Sequence, residues 1–329
     1  MIRFGIIGTN WITDKFLEAA SRIDGFTLSA VYSRTEEKAR SFADKYNAPH
    51  IFTDIEAMAG SGEVDAVYIA SPNSLHAEQA ILCMNNGLHV LCEKPLASNT
   101  KEVAQMIEAA KKNDVLLMEA LKTTFIPSFA AIREHLPKIG PVRRYTSQFC
   151  QYSSRYDAYK QGEVLNAFNP SFSNGSLMDI GIYCLYPLLY LFGEPDRLSA
   201  QATLLESGVD GQGSILMGYP GMEAAIFYSK ITQSNLPTEI QGEKGSIIID
   251  KISSPSKVTI EYLDGSVEDL SIPQEENTMY YEAQEFVSLI QAGKKESAVN
   301  THELSLLAAK VMENARKQFG LIYPADSGQ

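Results

Sequence analysis

Two stretches of the chain carry side chains that packing alone does not require. The first is Cys92-Glu93-Lys94-Pro95, directly after a short apolar run. A lysine near a sheet interior is costly without a partner. An ammonium held there can hydrogen-bond a reacting oxygen and stabilise the charge that develops on it. The second is Leu177-Met178-Asp179-Ile180-Gly181-Ile182-Tyr183, an apolar helical run with one acid. Asp179 and Tyr183 are four apart and share a helical face, and aspartate on so apolar a helix is seldom buried without purpose. Ammonium, carboxylate and phenol are groups that general acid–base chemistry uses.

The elements that must hold these groups are legible in the pattern. Through residue 122, apolar runs alternate with helical periodicity, and the spacing predicts strands at 2–7, 26–32, 50–52, 65–70, 88–92 and 115–119. Ser33-x-x-Glu36, Thr53-x-x-Glu56 and Asn99-x-x-Glu102 have capping-box form, and Gly87 sits where a helix C-terminal cap belongs. Strands this apolar, joined by single helices, predict a doubly wound parallel sheet covered on both faces. Such a sheet binds its ligand beyond the carboxyl ends of its strands.

The first strand end is Gly8, and the amphipathic pattern of Ile12, Phe16, Ala20 and Ile23 follows it. Gly8, Thr9, Asn10, Trp11 and Ile12 would offer backbone N–H groups to a dinucleotide pyrophosphate. Read as G-x-G-x-x-G/A, the turn runs Gly8, Asn10, Thr13, and Asn tolerates the left-handed region better than most residues. Taken alone, the turn also fits a glycine that merely ends a buried strand. The second end, Tyr32-Ser33-Arg34, lacks the acid that accepts from a ribose 2′-hydroxyl; arginine would instead pair with a 2′-phosphate, favouring NADP over NAD. Ser33 can also cap the next helix, with Arg34 solvated. At the fourth end, Ser71-Pro72-Asn73-Ser74-Leu75-His76, Pro72 sets an extended turn and Ser74 can cap a helix. Ser71, Pro72, Asn73 and His76 are expected at the cofactor, with Glu93 and Lys94 from the fifth end.

From here the chain resembles the Gfo/Idh/MocA oxidoreductases, on Gly5-Ile-Ile-Gly8, Ser71-Pro-Asn-Ser-Leu-His76, Glu93-Lys-Pro95 and Asp179-Ile-Gly-Ile-Tyr183. The resemblance covers nearly the whole length and is strongest to the branch with dihydrodiol dehydrogenase and sugar 1-dehydrogenases. It implies an enzyme that transfers hydride between NAD(P) and a carbinol carbon of a sugar, polyol or diol. The resemblance places Tyr183 as general acid/base, Lys94 as partner of the reacting oxygen and Asp179 as substrate orienter. An ammonium such as Lys94 would lower a tyrosine pKa from its usual value of about 10. Relatives read Met-Glu-Ala-x-Trp-x-Arg where this chain has Met118-Glu-Ala-Leu-Lys122-Thr-Thr124, so the substrate is left unnamed. The family also contains non-catalytic dinucleotide-binding regulators and NAD-dependent glycoside hydrolases.

Two domains are expected: a dinucleotide-binding domain over 1–122 and a substrate and oligomerisation domain over 123–329. In the second, a helix over 125–136, a strand over 142–152 and an aromatic loop over 153–175 precede the Asp179 helix; the loop suits sugar recognition or an oligomer contact. Alternation across 196–273, with hairpin signals at Pro220-Gly221 and Asp264-Gly265, predicts an open, mostly antiparallel sheet. Its uncovered face predicts a homodimer or homotetramer. A last helix, near 301–319 with an Asn300-x-x-Glu303 box, is expected to pack back on the first domain, followed by a frayed tail. The net charge of −12 argues against a nucleic-acid partner. No run is expected to span a bilayer, and four scattered cysteines predict no metal site and a reduced, cytoplasmic setting.

Overall fold

Short apolar runs and their intervening helices build a six-stranded parallel sheet at the N-terminus of the computed structural model, which describes residues 1–327. Its strands are β1 (Ile2–Ile7), β2 (Phe26–Tyr32), β3 (His50–Phe52), β4 (Ala66–Ile69), β5 (His89–Glu93) and β6 (Leu117–Ala120), in the order β3-β2-β1-β4-β5-β6. The order reverses between β1 and β4, which makes their carboxyl ends the crevice where such sheets bind ligands. The connecting helices are α1 (Trp11–Ala20), α2 (Glu36–Tyr46), α3 (Ile55–Ala59), α4 (His76–Asn85) and α5 (Thr100–Lys112).

Helix ends follow side-chain chemistry, often one or two residues from the expected cap. Asn99 caps α5 as read, with Glu102 N–H donating to its Oδ1 at 2.9 Å. Gly87 adopts φ +81 and closes α4 in a Schellman arrangement, Leu88 N–H reaching Cys83 O and Gly87 N–H reaching Met84 O. Other caps shift. Asp54, not Thr53, accepts from Ala57 N–H and caps α3; α2 starts after Thr35, not Ser33; and Ser74 lies inside a 3₁₀ turn, Asn73–Leu75.

A second sheet of eight strands follows: β7 (Val142–Cys150), β8 (Arg197–Leu204), β9 (Asp210–Tyr219), β10 (Met222–Ser229), β11 (Thr238–Gly242), β12 (Gly245–Ile249), β13 (Val258–Tyr262) and β14 (Val267–Asp269). The order is β14-β13-β12-β11-β7-β10-β9-β8, antiparallel except for the β7–β10 pair. Pro220 and Gly221 (φ +74) make the two-residue β9–β10 turn. Alternation buries Tyr145, Ile215, Ile226, Ile240, Ile247 and Ile260 on one face, while Leu216 and Phe227 are exposed. This part also contains α6 (Pro127–His135), α7 (Tyr156–Lys160) and α8 (Ile182–Phe192), which continues a π-helical turn, Leu177–Gly181.

The stretch Pro170–Phe192 is long and apolar enough, by length and composition, to cross a membrane, which corrects the expectation that no run is; 72% of its scanned window is buried inside the protein. Leu185, Tyr186 and Leu189 are core residues. The apolar surface therefore serves packing.

The chain divides into Met1–Leu121 with Glu275–Leu306, and Lys122–Gln274 with the described residues from Leu307 on. The segment 275–306, which the sequence reading placed in the second domain, groups with the first unit. There α9 (Met279–Gln291) lies along α1, Phe286 meeting Phe4 at 5.9 Å between ring centres. α10 spans His302–Gln318 and starts from Thr301, whose Oγ1 accepts from Leu304 N–H. Asn300 does not cap it; its Nδ2 donates to the carbonyls of Glu119 and Leu121 instead. Beyond α10 the chain is held, not frayed: Tyr323 is buried, and Asp326 pairs at 2.7 Å with the fully buried Arg316. Residues 328–329, the end of the expected tail, lie outside the described residues.

Candidate functional site

The first unit supplies a dinucleotide turn at the β1/β4 switch point. Gly8 has φ +109, and a Cβ there would fall 2.6 Å from Ala70 O at the end of β4, so only glycine fits. Asn10 does not use the left-handed region anticipated for it. It is extended (φ −114) and caps α1, its Oδ1 accepting from Ile12 N–H at 3.0 Å while its Nδ2 donates to Ala70 O at 2.8 Å. Thr13, at the third glycine position, is buried and donates from Oγ1 to Gly8 O at 2.7 Å. Asparagine and threonine thus replace two glycines by tying α1 to both flanking strands. Thr9 is partly buried, and Trp11, 64% exposed, opens the helix.

At the end of β2, Ser33 is buried with its N–H on Phe52 O, and Arg34 is exposed with no ion pair among the described residues. That leaves a solvated guanidinium beside the position where a ribose substituent would lie in this fold.

The β4 and β5 ends are braced together. Ser71 Oγ donates to Gln79 Oε1, and Pro72 is extended as expected. His76 corrects the reading that turned it towards the cofactor: it is fully buried, with Nδ1 3.0 Å from Pro95 O and Nε2 2.9 Å from Ser71 O. Burial depresses its pKa, so the ring is neutral and donates to one carbonyl at a time. Glu93 is buried too, accepting from Tyr68 Oη at 2.6 Å and from Lys94 N–H at 3.2 Å. Tyr68 stacks on Phe16 of α1 at 3.8 Å, so the Glu93-Lys94 turn and the pyrophosphate helix share one rigid support. The Lys94–Pro95 bond is cis, and Lys94 is half-buried. Behind it, Glu119 accepts from Leu96 N–H at 2.9 Å; burial raises its pKa to about 7.

In the second unit the acid and the phenol come from one irregular helix. Asp179 lies in the π-helical turn and Tyr183 in the first turn of α8, its ring 5.8 Å from Phe149. π-turns recur at functional sites because they re-aim side chains within a helix. Gly181 allows this one to lie on β10: a Cβ would sit 3.0 Å from the Tyr228 ring. Pro187, four residues on, has no N–H to give to the Tyr183 carbonyl. Asp210 anchors the start of the turn, accepting from Leu177 N–H at 2.7 Å, and full burial raises its pKa to about 7.

Sequence reasoning missed Lys230. It follows β10, is 4% exposed and donates from Nζ to Asp179 Oδ2 at 2.5 Å. The nearest signal was a lysine ending an otherwise apolar alternation, indistinguishable by pattern from a solvated strand end. In the aromatic loop, the partly buried Tyr156 and Tyr159 pack on Phe168 over a small core with Val209. Lys122 opens a 3₁₀ turn, and Thr124 is buried within it.

Comparison with known proteins agrees with this architecture. Residues 2–121 match the GFO/IDH/MocA oxidoreductase family model, described as an NAD-binding Rossmann fold, and residues 130–248 match the GFO/IDH/MocA C-terminal domain. Scyllo-inositol 2-dehydrogenase (NADP(+)) IolU of Bacillus subtilis strain 168 is 60% identical over 326 residues, covering 99% of each chain. The mouse trans-1,2-dihydrobenzene-1,2-diol dehydrogenase is 31% identical over 341 residues, again covering 99% of each. Among solved structures, the aldose-aldose oxidoreductase of Caulobacter crescentus shares the fold with a TM-score of 0.86 at 23% identity, covering 100% of this chain and 98% of that one. With family models matching residues 2–121 and 130–248 and relatives aligned over 99% of its length, this chain belongs to the GFO/IDH/MocA oxidoreductases.

Proposed function

We propose that the protein is an NADP-preferring dehydrogenase that oxidises a secondary hydroxyl of a cyclic polyol of the inositol class, and reduces the matching ketone in reverse. The observation that carries the cofactor reading is Arg34, an exposed guanidinium with no ion pair among the described residues, after β2 where NAD-specific sites place an acid. Gly8 supports a dinucleotide turn, since the Ala70 carbonyl, 2.6 Å from where a Cβ would lie, admits only glycine at the switch point. The substrate class rests on the 60% identical relative, a scyllo-inositol dehydrogenase using NADP(+).

When bound, the dinucleotide supplies the hydride acceptor. The residues of the chain handle the proton and the substrate. Tyr183 takes the hydroxyl proton as the carbon–hydrogen bond breaks, and Lys94 hydrogen-bonds the same oxygen and stabilises its growing charge. Asp179 accepts from a neighbouring hydroxyl and selects the ring carbon that is oxidised. Glu93, Tyr68 and His76 hold the Lys94 turn through their buried hydrogen bonds.

The test is reduction of NADP(+) and NAD(+) at 340 nm against a panel of inositols, aldoses and diols. Turnover with at least one inositol and preference for NADP(+) is expected. No turnover with any polyol contradicts the reading. Two further proposals accompany it. Exposed Leu216 and Phe227, on neighbouring strands of the outer sheet face, support a homo-oligomer; a monomer mass by light scattering contradicts this. Free, buried Cys83, Cys92 and Cys184 support a reducing, cytoplasmic setting.

A further inference from the structure

We infer that Lys230 is a positioning residue of the reaction, acting through Asp179 to fix the carboxylate that reads a substrate hydroxyl; this rests on the role proposed for Asp179. Three observations within the second unit converge on it. Lys230 Nζ donates to Asp179 Oδ2 at 2.5 Å and to Ala167 O at 3.3 Å, and lies 5.2 Å from the centre of the Phe168 ring. The backbone N–H of the same residue donates to Ser176 Oγ at 3.0 Å, and that hydroxyl donates to Gly211 O. One residue therefore grips the π-helical turn from both sides: by its main chain at Ser176, one turn before Asp179, and by its side chain at Asp179 itself.

The asymmetry of burial points to positioning rather than stability. The Lys230 side chain is 5% exposed while that of Asp179 is 36% exposed. Here the cation is sunk in the core and the anion is presented outward. A carboxylate on a one-residue irregularity has rotamers to choose among, and a charge-assisted bond of this length selects one. The aliphatic stem of Lys230 contributes packing that methionine can reproduce, and Asp179, being partly exposed, can hydrate when its partner is lost. Removing one partner of an ion pair is costly where it strands a buried charge; the Asp179 side chain is 36% exposed, so Lys230→Met is expected to fold.

The experiment is a double-mutant cycle on kcat/KM with Lys230→Met, Asp179→Asn and the pair, read alongside NADPH affinity and thermal midpoint. Wild-type turnover is measured first; its absence with all polyols fails the functional reading and not this inference. Lys230→Met is expected to lower kcat/KM for the polyol by about tenfold to a hundredfold, the cost of a lost charged hydrogen bond, chiefly through KM. NADPH affinity should stay within about twofold. The double variant should be no worse than Asp179→Asn, and Lys230→Arg should recover part of the loss. If Lys230→Met does not accumulate as folded protein, Lys230→Gln, which keeps a donor towards Ala167 O, carries the same cycle. Additive losses, or a Lys230 variant with wild-type kcat/KM, overturn the inference.

Discussion

Asn10 Nδ2 donates to the carbonyl of Ala70 at 2.8 Å, across the point where the first sheet reverses its strand order. That bond explains a departure from the glycine-rich consensus that sequence alone leaves ambiguous. A second glycine would permit close approach to phosphate; asparagine instead fixes the angle at which α1 leaves β1 and satisfies the helix end with its own Oδ1. The same carbonyl excludes any side chain at Gly8.

Asn10→Ala removes both the cap and the tie to β4. The variant is expected to lose roughly 1–2 kcal/mol of stability, read as a lower urea midpoint at unchanged slope. An unchanged midpoint would show that these bonds contribute nothing net.

Arg34 is exposed, with no acidic partner among the described residues, so its removal should cost little stability and much cofactor discrimination. Arg34→Ala is expected to weaken NADPH binding by about tenfold to a hundredfold, the worth of a charge-assisted contact to phosphate, and to leave NADH affinity within about threefold. The single tryptophan, Trp11, opens α1 and is 64% exposed, so its fluorescence reports both titrations directly. Equal losses for both dinucleotides would remove Arg34 from 2′-phosphate recognition.

Two buried acids, Asp210 and Glu119, have pKa values raised by burial to about 7. In the folded protein each keeps its proton to near neutral pH, whereas in the unfolded chain each loses it near pH 4. Their contribution to stability is therefore full below about pH 4 and is lost as pH rises through about 7. Asp210→Asn should narrow the difference in thermal midpoint between pH 5.5 and pH 8, because asparagine can still accept from Leu177 N–H and has no charge to bury. An unchanged difference would mean that Asp210 ionises freely in its pocket.

The strand ends proposed to carry the chemistry were legible because apolar runs bounded by glycine and capping residues are local signals. β1, β2 and β3 match their predicted bounds, and Gly8, Arg34, Lys94, Asp179 and Tyr183 are visible from the chain alone. What sequence could not show depends on partners far along the chain. Lys230 meets Asp179 across 51 residues, and no period encodes that pairing. His76 was expected at the cofactor because it opens a helix at a strand-end loop; two backbone carbonyls draw it inward. Thr53 and Asn300 looked like caps, but Asp54 and Thr301 stood next to them with equally short polar side chains. The 153–175 stretch reads as aromatic loop, and only the fold shows the rings of Tyr156 and Tyr159 packed on Phe168 and the Tyr159 hydroxyl accepting from Ser207 N–H.

The central claim is that Lys94 acts on the reacting oxygen and is dispensable for holding the dinucleotide. The most direct measurement is single-turnover reduction of NADP(+) by an inositol in Lys94→Ala, beside its NADPH dissociation constant. A rate lowered by about a hundredfold to a thousandfold, with NADPH affinity within about threefold of wild type, is the predicted result. A rate within tenfold of wild type would contradict the account.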